Sequence, residues 1–202
     1  MYTPSAFVID DPEKIRAFIA ANGFGILLSI RDGEIEETHT PMVLSGDGRE
    51  LFGHIARANP QWRQWVPGAK VKALFHGPHC YVSPRYYRNG SNVPTWNYTA
   101  ASVTGTISVL DGRAEQKRLM ERLVAQYEGG FPEPWKLDEA DGNIMRLFDA
   151  IVCFRIEVER IEAKFKLNQN KPPEDRESVV AHLKATGAAG DAEVARLMEE
   201  RG

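Results

Sequence analysis

The stretch HIARANPQW, from His54 to Trp62, combines a guanidinium group with a predicted helix start. Arg57 ends an apolar strand pattern, and Asn59 followed by Pro60 is typical of a capped helix N-terminus. A guanidinium and the free N–H groups of a helix start together suit a phosphate. The alternative is structural: Asn59 only caps the helix, while Arg57 lies in solvent or pairs with a carboxylate. The two interpretations are compatible.

Two further stretches place polar and aromatic groups at the ends of predicted strands. VPTWNY, from Val93 to Tyr98, offers a tryptophan that can cover a flat heterocycle and an amide that can hydrogen-bond to it. KFKLNQNKP, from Lys164 to Pro172, brings cations and side-chain amides to the end of the last strand. Each stretch is equally compatible with an ordinary loop or strand end.

His76 and His79 flank a Gly77-Pro78 turn beside Cys80, which would suit a metal if further ligands were near. The turn separates the two imidazoles, and no third or fourth ligand stands at a recognisable spacing, so we expect no metal site. The chain also lacks the GxSxG, Walker A and GxGxxG motifs. Hydrolase, P-loop and Rossmann chemistry therefore have no support, and the residues identify no catalytic group.

Composition limits the remaining functions. The 202 residues are 43% hydrophobic, which allows one substantial core with at most a small appendage. A formal net charge of -3 provides no overall attraction for nucleic acid or an anionic membrane. Cys80 and Cys153 are far apart and match no disulfide or zinc pattern, which favours a reducing compartment. No apolar run reaches membrane-spanning length, so we expect a soluble, cytoplasmic protein without membrane contact.

Short apolar runs separated by turn residues predict about six antiparallel strands with helices at a few points. The turn at 46–48 predicts a hairpin that sets His39 or Thr40 roughly opposite His54. Helices are predicted after Asp11, at 114–128, before Phe148 and, as a pair, after Glu174. The pattern favours a mainly β, α+β fold: an antiparallel Greek-key barrel with peripheral helices, rather than a doubly wound parallel sheet.

Four motifs stand in order along the chain: GHIARANPQW, FHGPHCYVSPRYY, VPTWNY and KFKLNQNKPPEDR. Together they resemble the PaiB-type family of FMN-binding negative transcriptional regulators, and the opening MYTPSAF is also similar to the family's start. The resemblance extends to about residue 185. It implies a split β-barrel related to pyridoxamine-phosphate oxidases and flavin reductases. We expect this barrel over residues 1–170, with a C-terminal helical extension packed on or beside it over residues 171–202. The resemblance also implies a homodimer with FMN at the interface.

The resemblance further implies a set of residues that contact FMN. They are His39, Thr40, Met42, His54, Arg57, Asn59, Trp96, Asn97, Lys166, Gln169 and Asn170. The first three would run beside the isoalloxazine, and the next three would lie toward the ribityl chain and phosphate. The tryptophan and its neighbouring amide would close over the flavin, and the last three would form the C-terminal part of the pocket. Arg57 is the foremost phosphate candidate, because a dianionic phosphate needs a charge-assisted donor.

The function implied by the resemblance is negative regulation of transcription. DNA binding rests on the family alone, because no helix-turn-helix is recognisable in the sequence. An FMN-dependent oxidoreductase or flavin reductase is the alternative, and the residues leave open whether the protein is an enzyme. A haem-binding or haem-degrading protein is a second alternative, because related barrels bind haem or an F420-type flavin. A flavin or redox-sensing module that acts through protein partners is a third.

Overall fold

The computed structural model describes residues 1–89 and 92–200, and the elements that follow lie in those ranges. The strands are β1 (Val8–Ile9), β2 (Phe24–Arg31), β3 (Glu34–Leu44), β4 (Glu50–Ala56), β5 (Lys70–Val82), β6 (Thr95–Val109) and β7 (Ile151–Lys166). The α-helices are α1 (Pro12–Ala21), α2 (Arg113–Glu128), α3 (Gly142–Asp149), α4 (Pro173–Thr186) and α5 (Ala189–Glu199). Short 3₁₀ helices form at Ser5–Phe7, Pro60–Gln64 and Pro84–Tyr86.

The strands form one sheet whose order is β1-β7-β4-β3-β2-β5-β6, and an additional pairing joins β6 to β7. The order from β7 to β6 therefore returns to β7, which makes a ring of six strands with β1 paired to β7. The registers of β1 with β7, β2 with β3 and β5, and β4 with β3 and β7 are all antiparallel. This confirms the predicted antiparallel barrel with peripheral helices.

The chain forms two compact units, and β5, β6 and β7 each contribute residues to both. The larger unit consists of residues 12–75 and 102–161, and its fully buried side chains include Met42 and Phe154. The smaller consists of residues 1–11, 76–101 and 162–202, with Leu183 buried in α4 and Met198 in α5. The division into a barrel at 1–170 and an extension at 171–202 stays a prediction, and residues 201–202 lie outside the described residues.

Local sequence explains where the helices begin and what they bury. In α1, Pro12 occupies the first position, where its missing N–H costs nothing, and Ile15, Phe18 and Ile19 are buried at helical spacing. Helix α4 ends at Thr186 and is followed by Gly187, whose φ of +71° is easily adopted by glycine. The predicted first helix and the predicted pair of C-terminal helices are thus confirmed.

Two glycines permit close approaches inside the larger unit. A Cβ atom on Gly53 would lie 2.5 Å from the Phe154 ring, where β4 pairs with β7. A Cβ atom on Gly105 would collide with the backbone oxygen of Glu157, where β6 approaches β7. Only a residue without a side chain fits at this contact, because backbone atoms cannot move aside as a flexible side chain can.

Among the helices in the described ranges, none has both the length and the apolar character needed to cross a membrane.

Candidate functional site

The predicted cap at Asn59 is present, in the larger unit. The helix that it begins is the 3₁₀ helix Pro60–Gln64, where Asn59 Oδ1 accepts a hydrogen bond from the Gln61 backbone N–H at 2.9 Å. Asn59 Nδ2 donates to Thr38 Oγ1 on β3 at 2.7 Å. The side chain therefore joins the loop after β4 to the neighbouring hairpin, and its amide already serves the fold.

Gln61 lies at the centre of a buried polar network that the sequence did not reveal. Its side chain is 2% exposed, and its Oε1 accepts a hydrogen bond from the Thr38 hydroxyl at 2.5 Å. Its Nε2 donates to Ser29 Oγ at 3.0 Å and also contacts the backbone oxygens of Leu27 and Glu36 at 3.3 and 3.2 Å. We call Ser29, Thr38, Asn59 and Gln61 the Gln61 network. No local sequence pattern marks Gln61, because glutamine is most often exposed.

Arg57 binds the C-terminal end of α3. Its Nε donates to the Asp149 backbone oxygen at 2.7 Å, and its Nη2 donates to the Ile151 backbone oxygen at 2.8 Å. Helix C-termini carry unsatisfied carbonyl groups and a partial negative charge, so a guanidinium is a suitable partner there. A guanidinium has five N–H donors, so these two bonds leave further donors at an exposed position.

The remaining candidates of the larger unit lie on β3 and β4. The Thr40 hydroxyl donates to the His54 backbone oxygen, and Met42 is fully buried against Gly53. The His54 ring is largely enclosed, and its Nδ1 is buried with no hydrogen-bond partner among the described residues. Burial lowers the pKa of His54 from its ordinary value. His39 is exposed, with its ring centroid 6.2 Å from that of Phe24.

The outer face of β2 and β3 exposes large apolar side chains. Phe24, Ile30 and Ile35 are 67%, 70% and 66% exposed, and Ile30 pairs with Ile35 in the β2–β3 register. His39 belongs to the same face, because it pairs with Ile26. We call these residues the β2–β3 face. Ile30 and Ile35 are adjacent across the two strands, whereas Phe24 lies farther along the same face, beyond the exposed Glu37. Exposed apolar residues on one face can mark an interaction surface.

In the smaller unit, Lys166 contacts the segment that contains Trp96. Its Nζ donates to the Trp96 backbone oxygen at 2.7 Å and to the Thr95 hydroxyl. The Trp96 ring is about half exposed, with ring centroids of His79 and Tyr81 at 6.2 and 6.0 Å. The structure thus brings two predicted site residues, Lys166 and Trp96, into direct contact.

Two further lysines lie near Lys166, and the hydrogen-bond acceptors of all three are neutral. Lys164 Nζ donates to the Tyr2 backbone oxygen at 3.2 Å, and Lys171 Nζ donates to Asn92 Oδ1 at 2.5 Å. Burial, followed by the positive charges of Lys164 and Lys171, lowers the pKa of Lys166. We call these three residues the lysine cluster. Because like charges repel within it, an anion bound there would be stabilised.

The other polar candidates of the smaller unit are mostly engaged within the fold. Asn97 is fully buried and its Nδ2 contacts Met198 Sδ at 3.4 Å, while its Oδ1 has no partner among the described residues. The Gln169 side chain folds back, because its Oε1 accepts from the Leu167 backbone N–H at 2.7 Å. Asn170 is exposed.

His76, His79 and Cys80 lie together on β5. The two imidazole rings contact edge to face with centroids 4.7 Å apart. Within the ranges that the structure describes, no three His, Cys, Asp or Glu side chains converge as a metal site would require. Burial raises the pKa of Cys80 to about 12, so its thiol stays protonated and is a poor nucleophile near neutral pH.

This chain matches a family of known proteins over most of its length. The family described as "Putative FMN-binding domain" matches residues 1–160. The "Protease synthase and sporulation protein PAI 2" of Bacillus subtilis is 34% identical over 206 residues, which covers 100% of this chain and 98% of that protein. An uncharacterized Aspergillus fumigatus protein is 29% identical over 241 residues, which covers 93% of this chain and 92% of that protein.

Solved structures show the same fold at low sequence identity. The FAD- and haem-binding protein of Mycobacterium smegmatis superposes with a TM-score of 0.62 at 14% identity, covering 86% of this chain and 79% of that one. The flavocytochrome Anf3 of Azotobacter vinelandii also superposes with a TM-score of 0.62. Its sequence identity is 12%, and the match covers 79% of this chain and 69% of that one. The fold is the predicted split β-barrel, and the chain belongs to the PaiB-type FMN-binding family.

Proposed function

We propose that this protein binds FMN as a homodimer and acts as a negative regulator of transcription. The observation that carries the proposal is the match of the FMN-binding family over residues 1–160. The relationship with the Bacillus subtilis protein supports it, because the 34% identity extends over 100% of this chain and 98% of that protein. The FMN contacts proposed are the eleven residues that the family resemblance implies.

The lysine cluster supports binding of a phosphate-bearing cofactor. Among the described residues its amines have no acidic hydrogen-bond partner, and Lys166 lies directly beside Trp96, whose exposed ring can stack on a flat heterocycle. An ammonium that has only neutral acceptors gains a charge-assisted hydrogen bond when a phosphate arrives. We therefore propose Lys166 as a second phosphate candidate, in the smaller unit. Arg57, in the larger unit, stays the candidate that the family resemblance implies, and its guanidinium retains donors beyond its two bonds to carbonyl groups.

The β2–β3 face supports homodimer formation. A second copy of this chain would cover Phe24, Ile30 and Ile35, which otherwise leave much of their apolar surface in water. His39, a proposed flavin contact, lies on that same face, so dimer formation would enclose a ring bound beside it. Formation of the dimer would therefore exclude water from the bound flavin ring.

Flavin binding is tested first by the absorption spectrum of the purified protein and by titration with FMN and riboflavin. Riboflavin has the same ring but no phosphate. Lys166→Met should weaken FMN binding roughly 10- to 100-fold, the cost of one charge-assisted hydrogen bond, and should change riboflavin affinity much less. Lys184→Met, at a surface lysine that pairs with Glu199, is the matched control. A protein that takes up no FMN would exclude the proposal, and a Soret band would instead indicate haem.

Assembly is tested by analytical ultracentrifugation of Ile30→Glu and Ile35→Glu. Both variants place a charge on the β2–β3 face and should shift the protein toward monomer, while Val66→Glu, at an apolar residue exposed to a similar extent, should not. If wild type is monomeric at micromolar concentration, the dimer is refuted.

The regulatory role is tested by a salt-controlled DNA titration alongside an assay of NAD(P)H oxidation with added FMN. Binding that selects one DNA sequence and survives physiological salt would support a regulator. Turnover, with DNA binding lost at moderate salt, would favour the oxidoreductase instead.

A further inference from the structure

A small cavity with three arginines lies between α2 and the strands β4 and β7, within the larger unit. Its volume is about 200 Å³. Phe52 and Leu119 give it apolar walls, and Arg118, Arg122 and Arg155 supply its positive charges. We call it the arginine pocket. None of its residues belongs to the proposed flavin contacts, so its chemistry needs a separate explanation.

The arginines of the arginine pocket are only weakly paired. Three guanidinium groups share the lining with two carboxylates, those of Glu50 and Glu115, and a third carboxylate, that of Glu157, approaches Arg155 from outside the lining. Arg155 contacts Glu50 and Glu157 only at 3.4 and 3.5 Å, near the limit of a hydrogen bond. Its Nε is buried without a partner among the described residues. Buried donors are ordinarily paired, so Arg155 is poorly satisfied by the protein alone.

The two arginines of α2 are held over the cavity and retain free donors. The Arg122 guanidinium lies over the Phe52 ring, 5.2 Å from its centroid, a contact that fixes the side chain against β4. Arg118 Nε donates to the Ala114 backbone oxygen at 3.2 Å in its own helix. In the described part of the chain, the terminal nitrogens of Arg118 and Arg122 have no hydrogen-bond partner. Guanidinium forks of this kind bind oxyanions in a bidentate manner.

The size of the cavity limits what can occupy it. Pockets for drug-sized ligands span roughly 300–1,000 Å³. A cavity of about 200 Å³ has room for a small tetrahedral anion with its waters, but not for a nucleotide. We propose that the arginine pocket is a binding site for a small oxyanion of the phosphate class, distinct from the flavin site. The proposal does not depend on flavin binding.

Isothermal titration calorimetry with inorganic phosphate, at ionic strength held constant with sodium chloride, tests the proposal. Wild type should bind phosphate saturably, and Arg122→Gln and Arg155→Gln should each weaken that binding at least tenfold. Arg63→Gln is the matched control: it removes the same charge, and Arg63 also lies over an aromatic ring, 5.9 Å from the centroid of Trp62. Its phosphate affinity should equal that of wild type.

Thermal unfolding without phosphate shows whether each variant is folded, and Arg118→Gln, at an exposed position, replaces any variant that is not. Absence of saturable binding, or equal weakening in Arg63→Gln, would overturn the proposal. A second titration contains excess FMN. Phosphate affinity should remain unchanged there, whereas displacement by FMN and not by riboflavin would mean that the pocket holds the flavin's own phosphate, which also overturns a distinct site. If the protein binds no FMN, the titration with phosphate alone still tests whether the arginine pocket binds an oxyanion.

Discussion

The Gln61 network and the lysine cluster both gather polar side chains, but they differ in how well the protein satisfies them. In the Gln61 network, the amide oxygen and nitrogen of Gln61 both have partners within the protein. In the lysine cluster, the hydrogen-bond acceptors of the ammonium groups within residues 1–89 and 92–200 are all neutral, and the three charges repel one another. A satisfied polar group stabilises the fold, whereas an unbalanced charge is ready for a ligand. Residue type alone does not distinguish the two.

The largest effect should come from breaking the Gln61 network. Gln61→Leu removes the partners of Thr38 and Ser29 at a buried position and should lower the free energy of unfolding by about 2–4 kcal/mol. Urea denaturation measures the change. Gln64→Leu is the matched control in the same 3₁₀ helix, because both polar atoms of the Gln64 amide are buried without a partner among the described residues. Equal losses in the two variants would show that the network contributes no specific stability.

A smaller loss of stability is expected at Arg57, which bonds within the fold and also retains donors for a ligand. Arg57→Ala removes one hydrogen bond to the end of α3 and one to the start of β7, and should lower the free energy of unfolding by about 1 kcal/mol. Arg57→Lys has a single donor group, so its free energy of unfolding should lie between those of Arg57→Ala and wild type. FMN titration of the same variants then separates the roles: unchanged affinity in Arg57→Ala would assign Arg57 to the fold alone.

The pH dependence of FMN affinity sharpens the contrast further. Because burial and neighbouring charges lower the pKa of Lys166, its amine loses a proton at a lower pH than an ordinary lysine. The neutral amine attracts phosphate less, so FMN affinity should fall as pH rises through that lowered pKa. Lys166→Arg should shift the fall to higher pH, because a guanidinium stays charged. A fall of equal size for riboflavin would show that Lys166 is not responsible.

The smallest effect concerns the stability contributed by neutral His54. Its pKa in the folded state is lowered below the ordinary value of 6.5, so the unfolded state binds the proton more readily. Stability should therefore be fully present above about pH 6.5 and decrease as pH falls toward the lowered pKa. His54→Phe should weaken this dependence in urea denaturation at pH 5 and pH 8. His182→Phe, at an exposed histidine stacked on Tyr86, should retain it.

The sequence predicted the helices and strands better than the side-chain contacts, because the residues that make those contacts lie far apart along the chain. The helix at 12–21 follows from Pro12 and from apolar residues three and four positions apart, all of which act locally. The Thr38 hydroxyl that bonds Gln61 lies 23 positions away, and the Trp96 oxygen that bonds Lys166 lies 70 positions away. Periodicity carries no information about such pairs. Family resemblance could supply the residues of the candidate site, but not what each of them contacts.

The many pairings of β7 have a consequence for the order of folding. This strand pairs with β1, β4 and β6, yet it ends at residue 166 of the chain. During synthesis, β1, β4 and β6 must therefore wait for a partner that emerges late, with strand edges unpaired in the meantime. Pairings between such distant segments also slow folding, because a large loop must close before any hydrogen bond forms. The barrel can therefore close only after β7 has been synthesised. A chain shortened before β7 should leave the barrel open and prone to aggregation.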